Sequence, residues 1–538
     1  MASVYPSFED LPASIPALVL EAAERHGPRA ALEHGEQRIT YAELPGYMLQ
    51  VTRALIAAGI GKGDRVVIWA PNSVEWVVLA LGLQAAGAVL VPLNTRMKGA
   101  EAADIVARSG ARLAFVQGSF LGTDYPAMLD QHRPATLERM VVIGAAPSQP
   151  GDQELQQFLA GAEQVPVEQA LASASSIAPT DLSDLLFTSG TTGKSKGVMC
   201  AHGPSLRAFN EYVRIIGLVP GDRYLVVNPF FHSFGYKAGW LTCLLGGATI
   251  LPQPVFDADE VFRRVAEERI TVLPGPPTLY LSMLDHPELG RKDLSSLRVA
   301  VTGASTIPPV LIQRIRQELG CAVVTTAYGL TECGGLATIC DPADSAEVIA
   351  GTSGKPIPGT ELAILDSGGK PVPVGHNGEI CLRGFHLMQG YFDDPGATQD
   401  TFDAQGWLHT GDIGSLDGQG NLRITGRLKD MFIVGGFNCY PAEIEAALSE
   451  HPAIAQVAVL GVPDERMGEV GCACVVLRQG EALTAAELIT WSRERMANYK
   501  VPRRVEFFEQ LPTNASNKVD KLLLARQLQE EESASYSV

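Results

Sequence analysis

The sequence predicts an α/β protein with a large N-terminal domain of mainly parallel sheets and helices and a smaller α+β domain at its C-terminal end. The chain has 538 residues, which is more than one hydrophobic core usually supports. From about residue 64, short β-branched runs alternate with helical segments, as in βα units on a parallel sheet. Near residue 426 this alternation gives way to a shorter α+β pattern, whose length suits one compact domain.

Several runs in the large domain have the character of buried strands. They are DRVVIWA (64–70), AVLVPL (88–93), ARLAFV (111–116), RVAVTGAS (298–305) and CAVVTTAYG (321–329). Active-site residues of parallel sheets gather at the carboxyl ends of the strands. We therefore expect Ser189, Gly303 and Tyr328 to lie in one crevice.

The small domain is predicted to follow the segment GRLKD (426–430). Its elements are a helix over 441–451, strands over 454–462 and 471–477, and a helix around 484–498. We expect an N-terminal domain over 1–426, a hinge over 427–430, a mobile C-terminal domain over 431–529 and a disordered tail over 530–538.

Charge and cysteine content exclude several classes of function. The net charge of −18 argues against a nucleic-acid partner, because binding to nucleic acid depends on Lys and Arg that neutralise phosphates. The nine cysteines contain no CxxC pair. Cys472 and Cys474 are two apart in an apolar run, so we expect them to share one face of a core strand and not to bind a metal.

Two apolar stretches are long enough to be tested as membrane spans, 76–93 and 238–256. Glycines and prolines interrupt both of them, and the first is better explained as a buried helix followed by a buried strand. We expect no integral membrane segment. The first residues lack the basic and apolar regions of a signal peptide, so we expect a cytoplasmic protein. A homodimer is the one assembly that we consider.

The loop TSGTTGKSKG (188–197) is the strongest functional signal. Its glycines let backbone N–H groups point at an anion, and its hydroxyls and lysines add donors and charge, which suits a polyphosphate. A Walker A loop would need glycine where this chain has Thr188. A flexible surface loop is the alternative, although turn chemistry alone does not require so many hydroxyls and lysines.

Further motifs follow the loop in order along the chain. They are YGLTE (328–332), HTGD (409–412), GRLKD (426–430), GGFN (435–438) and a late Lys518. Together with the loop they resemble the adenylate-forming superfamily of AMP-dependent synthetases and ligases, which includes acyl-CoA synthetases. The resemblance covers nearly the whole chain. It implies that the protein joins a small-molecule carboxylic acid to AMP at the expense of ATP, transfers the acyl group to coenzyme A, and releases AMP and pyrophosphate.

The resemblance also implies a role for individual residues around ATP and Mg²⁺. Thr188 and Glu332 would hold Mg²⁺, a cation that prefers oxygen ligands. Tyr328 would stack on the adenine, Asp412 would accept hydrogen bonds from the ribose, and Arg427 would assist at the ribose or phosphate. The full nucleotide set implied is Thr188, Ser189, Gly190, Thr191, Thr192, Gly193, Lys194, Ser195, Lys196, Gly303, Ala304, Ser305, Tyr328, Gly329, Thr331, Glu332, Asp412 and Arg427.

The small domain would supply a catalytic lysine and then rotate. The resemblance implies that Lys518 neutralises charge during adenylation, that Lys429 is the hinge, and that Gly435, Gly436 and Phe437 line the channel for coenzyme A. The residue before the lysine is usually glycine in the family, whereas this chain has Asn517, which tolerates left-handed backbone angles. Lys521 is a weaker competitor for the role of Lys518.

The acyl group is the least determined part of the expected reaction. The segment 228–256 contains no Asp or Glu, which disfavours an amino acid as substrate. Its aromatic part would form the pocket wall, with Phe231, His232, Phe234, Gly235 and Tyr236. His232 matches a gating and catalytic position in the family, and a satisfied core histidine is the alternative.

Short segments favour one substrate class over its rivals. The segments NPFFHSFGYKAG, ITVLPGPPTLY and DHP, together with YGLTE, are similar to those of ligases that act on the propanoate side chain of a steroid-ring remnant. A medium- or long-chain fatty acid is the second choice, and an aromatic or alicyclic acid the third. A luciferase-like oxygenase, a P-loop kinase and a non-catalytic nucleotide sensor are the alternatives from other classes.

Overall fold

The computed structural model describes residues 10–188, 195–303, 307, 309–434, 437–464, 466–514 and 519–535, with the backbone alone at 437, 438 and 531–535. The described strands, in chain order, are β1 (Ala30–His34), β2 (Gln37–Thr40), β3 (Arg65–Trp69), β4 (Val89–Pro92), β5 (Leu113–Gln117), β6 (Ser119–Phe120), β7 (Thr123–Asp124), β8 (Arg139–Ile143), β9 (Gln153–Glu154), β10 (Leu182–Thr188), β11 (Lys196–Ala201), β12 (Arg223–Val226), β13 (Thr249–Pro252), β14 (Val272–Pro274), β15 (Val299–Gly303), β16 (Val323–Tyr328), β17 (Thr338–Ile339), β18 (Lys355–Pro356), β19 (Thr360–Leu365), β20 (Gly378–Gly384), β21 (Gly390–Tyr391), β22 (Leu408–Leu416), β23 (Leu422–Arg427), β24 (Phe432–Val434), β25 (Phe437–Cys439), β26 (Ile454–Asp464), β27 (Gly468–Leu477) and β28 (Arg504–Phe507).

The described α-helices are α1 (Ile15–His26), α2 (Leu44–Ala57), α3 (Val74–Ala85), α4 (Gly99–Ser109), α5 (Tyr125–Asp130), α6 (Leu155–Ala160), α7 (Val167–Ser175), α8 (His202–Ile216), α9 (Ser233–Gly235), α10 (Thr242–Gly246), α11 (Ala258–Glu268), α12 (Pro277–Leu284), α13 (Pro309–Glu318), α14 (Ala346–Gly351), α15 (Pro395–Thr401), α16 (Pro441–Leu448), α17 (Ala485–Arg493) and α18 (Lys521–Ser535). A π-helix spans Tyr236–Leu241, and 3₁₀ turns span Gly161–Gln164 and Thr331–Cys333.

Two large sheets form the N-terminal part, and both are mainly parallel. The strand order is β18-β17-β16-β15-β14-β12-β13-β1-β2 in one and β21-β11-β10-β4-β3-β5-β8-β9 in the other. In the first, the strands from β16 to β1 run parallel, and in the second those from β10 to β9 do. The predicted α/β class with mainly parallel sheets is therefore confirmed.

Helix α3 shows how the two sheets share one core. Its sequence VEWVVLALGLQA is apolar on nearly every face, and its residues are buried except for Glu75. The Ser73 hydroxyl caps it by accepting a hydrogen bond from the Trp76 backbone N–H at 3.0 Å. The helix contacts β1 of one sheet and β3 and β4 of the other. The first apolar stretch is thus a buried helix and strand, as predicted, and among the described residues no helix is both long and apolar enough to cross a membrane.

Smaller sheets follow along the chain. Strands β19, β20, β22 and β23 form an antiparallel sheet of four strands. The last sheet combines β24 to β28, and α16, α17 and α18 accompany it in the chain. This α+β unit matches the fold predicted for the C-terminal part. Strand β23 ends at Arg427 and β24 begins at Phe432, on either side of the predicted hinge, whose mobility stays a prediction.

Two local expectations can be compared with the structure. Cys472 and Cys474 lie on β27 and are fully buried in a cluster with Leu511, Leu524 and Leu528, so they are core residues as predicted. All nine cysteines are free and buried. Helix α18 extends through Ser535, into the segment predicted to be a disordered tail, and residues 536–538 lie outside the described residues.

A buried ion pair links strand β10 to the π-helix. The Lys237 ammonium lies 3.2 Å from the Asp184 carboxylate, and both side chains have no exposed surface. The Ser183 hydroxyl donates to the second oxygen of Asp184 at 2.6 Å. Burial alone lowers the pKa of Lys237, but the Asp184 carboxylate and the Cys200 thiol outweigh it and raise the pKa above its ordinary value. The lysine is therefore held in its charged form inside the protein.

Breaking this pair on one side should destabilise the protein strongly. Lys237→Met leaves an unpaired buried carboxylate, which costs about 3–5 kcal/mol, and the free energy of unfolding in urea measures the loss. The double variant Lys237→Met with Asp184→Asn removes both charges and should recover a large part of it. Equal losses in the single and double variants would show that the pair does not act as a charge pair.

Candidate active site

The loop at 188–197, which is predicted to bind phosphates, has a β-hairpin at its base. Strands β10 and β11 pair so that Thr188 faces Lys196. Arg108 on α4 holds one side of the loop, because its guanidinium donates to the Ser195 carbonyl at 2.6 Å and to the Ser195 hydroxyl at 3.3 Å. Residues 189–194, which include most of the predicted loop donors, lie outside the described residues. The described flanks place a cation and two hydroxyls at the mouth of the hairpin.

Glu332 is joined to this hairpin by Tyr391. The carboxylate stands on the 3₁₀ turn Thr331–Cys333, directly after β16. The Tyr391 hydroxyl donates to it at 2.9 Å, and the Lys196 ammonium lies 4.8 Å from the centre of the Tyr391 ring. Burial and then the Glu332 carboxylate raise the pKa of Tyr391, so the tyrosine remains a neutral donor. Thus the end of one sheet meets the edge of the other at Tyr391.

Asp412 is held in the same way by another tyrosine. It lies on β22 opposite Arg427 on β23. The Tyr328 hydroxyl donates to one carboxylate oxygen at 2.7 Å, and Arg427 Nε lies 3.2 Å from the other. Burial, and next Asp412, raise the pKa of Tyr328 well above its ordinary value. These two contacts fix the direction of the Asp412 carboxylate, an anionic group with about four acceptor positions.

Two glycines near Tyr328 stand where a side chain would meet the backbone. Gly303 ends β15 next to Ala327, and a Cβ at this position would lie 3.0 Å from the Ala327 carbonyl oxygen. A Cβ at Gly329 would lie 2.3 Å from the Gly335 carbonyl oxygen. Gly303 and Tyr328 therefore meet at the ends of neighbouring strands, as expected. Ser189, Ala304 and Ser305 lie outside the described residues.

The predicted acyl segment is held by the buried amide of Asn72. This side chain donates to the carbonyls of Val226, Asn228 and Gln253 at 3.1, 2.9 and 3.2 Å, and it accepts from the Phe230 backbone N–H at 2.8 Å. Both the nitrogen and the oxygen of the amide are thus bound to backbone groups. The loop that begins the acyl segment is therefore fixed to the ends of β12 and β13.

The side chains of the acyl segment differ in exposure. Phe231 and Phe234 are half-buried and His232 is exposed, so the alternative of a core histidine is wrong. His232 Nδ1 accepts from the Phe234 N–H at 3.2 Å. Tyr236 is fully buried, stacks on Trp240 at 4.6 Å, and its hydroxyl accepts from Gln84 at 2.8 Å. It can meet an acyl group only if the segment opens.

Gly235 is required in this segment, because a Cβ there would lie 2.2 Å from the Pro229 carbonyl oxygen.

Lys521 forms an ion pair within the small domain. Its ammonium lies 2.7 Å from Glu445, whose same oxygen accepts from the Val459 N–H at 2.8 Å. Lys518, Gly435 and Gly436 lie outside the described residues, and of Phe437 the backbone alone is described, on β25. Lys429 is exposed between β23 and β24. The structure thus gives Lys521 a partner inside the domain.

Four side chains that position the site are absent from the sequence predictions: Arg108, Asn72, Tyr391 and Lys237. Each acts on a partner distant in sequence, and its local sequence pattern contains no sign of that partner. Of the four, only Lys237 could have been noticed in the sequence, because it is a single charged residue in an apolar run.

Comparisons with known proteins agree with this geometry. Residues 19–392 match the family described as AMP-binding enzyme, and residues 443–518 match the AMP-binding enzyme C-terminal domain. A Mycobacterium tuberculosis protein named 3-[(3aS,4S,7aS)-7a-methyl-1,5-dioxo-octahydro-1H-inden-4-yl]propanoyl:CoA ligase is 48% identical over 94% of this chain and 97% of its own. A protein of the same name from Rhodococcus jostii is 46% identical over 95% and 98%.

A solved structure supports the same assignment at the level of the fold. The anthranilate CoA ligase AuaEII in complex with anthranoyl-AMP superposes with a TM-score of 0.86 at 28% identity, over 97% of this chain and 99% of its own. The family match covers more than half of the residues, and the two ligases match nearly the full length of the chain. The chain therefore belongs to the AMP-binding enzyme family, the adenylate-forming synthetases and ligases.

Proposed function

We propose that this protein is an AMP-forming acid:CoA ligase that makes an acyl-AMP intermediate and then an acyl-CoA thioester. The observation that carries this proposal is the junction of the two sheets. There, the neutral Tyr391 hydroxyl orients Glu332 beside the hairpin of β10 and β11. The neutral Tyr328 hydroxyl orients Asp412 at the end of β16. One carboxylate suits a metal ion, and the other suits a ribose.

The donor set fits ATP with Mg²⁺. The Glu332 carboxylate and the Thr188 hydroxyl offer the oxygen ligands that Mg²⁺ prefers, and the ion would neutralise charge on the departing pyrophosphate. Lys196 and the loop donors 189–195 would bind the phosphates. Asp412, with Arg427 beside it, would accept the ribose hydroxyls, and the space next to Gly303 would admit the flat adenine against Tyr328.

The acid would be activated between this nucleotide site and the segment 228–256. Its carboxylate and the α-phosphate repel each other, so a cation is needed where charge develops. Lys518 is the residue for which we propose this role, because the competing Lys521 is bound to Glu445. We further propose that the small domain turns at Lys429 and that coenzyme A then enters along Gly435, Gly436 and Phe437.

For the acyl group, we propose a propanoate side chain on a steroid-derived ring system. The two relatives that are 48% and 46% identical carry the name of such a ligase. The acyl segment has no carboxylate, and Phe231 and Phe234 present half-buried aromatic faces, which suit a fused hydrocarbon ring. A fatty acid and an aromatic acid are the rivals. A cytoplasmic location and a homodimer stay predictions.

The reaction can be tested by a screen for AMP release that depends on both acid and coenzyme A. We expect the bicyclic diketo-propanoate to give the highest kcat/KM, above octanoate, palmitate and benzoate. A higher value for a fatty or aromatic acid would contradict the proposed substrate alone. Release of ADP in place of AMP, or no release with any acid, would contradict the proposed ligase.

Replacement of Lys518 should separate the two half-reactions. Lys518→Ala should slow pyrophosphate–ATP exchange by more than about a hundredfold and should leave thioester formation from supplied acyl-AMP nearly unchanged. Lys521→Ala is the matched control and should retain most of the exchange. Our assignment would be wrong if Lys521→Ala lost the exchange and Lys518→Ala kept it.

The role of Asp412 predicts a defect in nucleotide binding. Asp412→Asn removes a charged acceptor, whose hydrogen bonds contribute about 1.5–3 kcal/mol, so KM for ATP should rise at least tenfold while KM for the acid changes little. Tyr328→Phe keeps the aromatic ring and removes one donor to Asp412, and its effect should be smaller. An unchanged KM for ATP in Asp412→Asn would exclude the ribose role.

A further inference from the structure

Three potential metal ligands stand on one face of the four-stranded sheet, outside the proposed nucleotide set. Cys381 on β20 pairs directly with His409 on β22. Glu379 is two positions before Cys381 on the same strand, across an irregularity in the pairing. The thiol, imidazole and carboxylate atoms all lie within 4.8 Å of one another. Antiparallel pairing thus brings together a soft ligand, the Cys381 thiol, a borderline ligand, the His409 imidazole, and a hard ligand, the Glu379 carboxylate.

The distance between the thiol and the imidazole in this cluster is close to that of a tetrahedral site. Cys381 Sγ lies 3.6 Å from His409 Nδ1. Zinc bonds of about 2.3 Å to sulfur and about 2.0–2.1 Å to nitrogen, at a tetrahedral angle, separate these two atoms by roughly 3.6 Å. Glu379 Oε2 lies 2.7 Å from His409 Nδ1, which is a hydrogen-bond distance. A cation would replace that shared proton after a small outward movement of the carboxylate.

The surroundings leave the cluster accessible and place a further carboxylate behind the imidazole. The side chains of His409 and Glu379 are 30% and 21% exposed, whereas Cys381 is buried. On the far side of the ring, Asp403 lies 3.8 Å from Nε2. This distance exceeds that of a hydrogen bond, so Asp403 would act on Nε2 through its charge, in the place where a metal-binding histidine usually has a carboxylate partner.

We propose that Glu379, Cys381 and His409 bind a soft divalent cation such as Zn²⁺ or Cd²⁺. A thiolate with an imidazole selects such ions over Mg²⁺, so the site is distinct in chemistry from the proposed magnesium position at Glu332. The protein supplies three ligands, and a water molecule would complete the coordination. Binding releases the thiol proton and the proton shared by His409 and Glu379.

Glu379 also links this cluster to the nucleotide site. Its other carboxylate oxygen accepts from the Gly411 N–H at 3.0 Å, and Gly411 has φ +70° immediately before Asp412. A cation that draws Glu379 away would release this turn. The cation should therefore weaken ATP binding, and this second statement rests on the proposed role of Asp412.

A titration of the protein alone with Cd²⁺ tests the site through the ultraviolet charge-transfer absorption of a cadmium thiolate. We expect one equivalent to bind to the wild type and to Cys321→Ala, which removes a control thiol buried in a core cluster that does not contain Cys381. Cys381→Ala should lose this absorption, and His409→Asn should bind at least tenfold more weakly. Thermal midpoints verify that each variant is folded.

Two results would overturn the proposed site. One is a charge-transfer absorption that persists in Cys381→Ala. Loss of the absorption in Cys472→Ala instead would then show that Cys472 is the thiol that binds the cation. The other is a wild-type protein that shows no saturable equivalent. Neither result depends on catalysis, so a failure of the proposed ligase function would leave this test valid.

The effect on ATP is measured by pyrophosphate–ATP exchange without coenzyme A, whose thiol would itself bind Cd²⁺. Cys381→Ala should keep its basal exchange and should need at least tenfold more Cd²⁺ for half-inhibition than the wild type or Cys321→Ala. Equal inhibition of all three, after binding at Cys381 has been observed, would overturn the link from the cation to the nucleotide site.

Discussion

The arrangement of the site depends on the junction between the two large sheets, and the buried pair of Lys237 and Asp184 is the charged contact within it. Asp184 precedes Thr188 on the same strand, and Lys237 follows Tyr236 in the π-helix of the acyl segment. A buried ion pair is costly to desolvate, and it tolerates little change in geometry once formed. It therefore sets the position of the hairpin of β10 and β11 relative to the acyl segment (228–256). Hydrophobic packing, which is not directional, would fix this position less closely.

The two carboxylates of the site are oriented by a common device. Tyr391 donates to Glu332 and Tyr328 donates to Asp412, and burial, followed by the carboxylate, raises the pKa of each tyrosine. A neutral hydroxyl fixes the direction of a carboxylate without cancelling its charge, whereas a lysine would compete with the ligand. Each tyrosine also joins two parts of the fold. Tyr391 on β21, at the edge of one large sheet, contacts the turn that follows β16 of the other. Tyr328 on β16 contacts Asp412 on the four-stranded sheet. The orientation of the two carboxylates is thus coupled to the packing of the sheets.

The sequence was sufficient for those features that are local in the chain. The β-branched runs predicted β3, β4, β5, β15 and β16, and the glycine spacing distinguished the loop at 188–197 from a Walker A loop. The contacts of Asn72, Arg108 and Tyr391 could not be predicted, since each joins segments separated by 59 to 181 residues. Exposure of a single side chain is also decided by tertiary packing, which is why Tyr236, two positions after the half-buried Phe234, lies fully in the core.

The choice between the two late lysines shows how structure and sequence complement each other. The residue before Lys518 departs from the family pattern, so the motif by itself left Lys521 as a competitor. In the structure Lys521 starts α18 and is bound to Glu445, which in turn holds β26 through the Val459 N–H. A lysine that neutralises a transient charge must leave its partner at every turnover, and Lys521 would have to break a contact that supports its own domain.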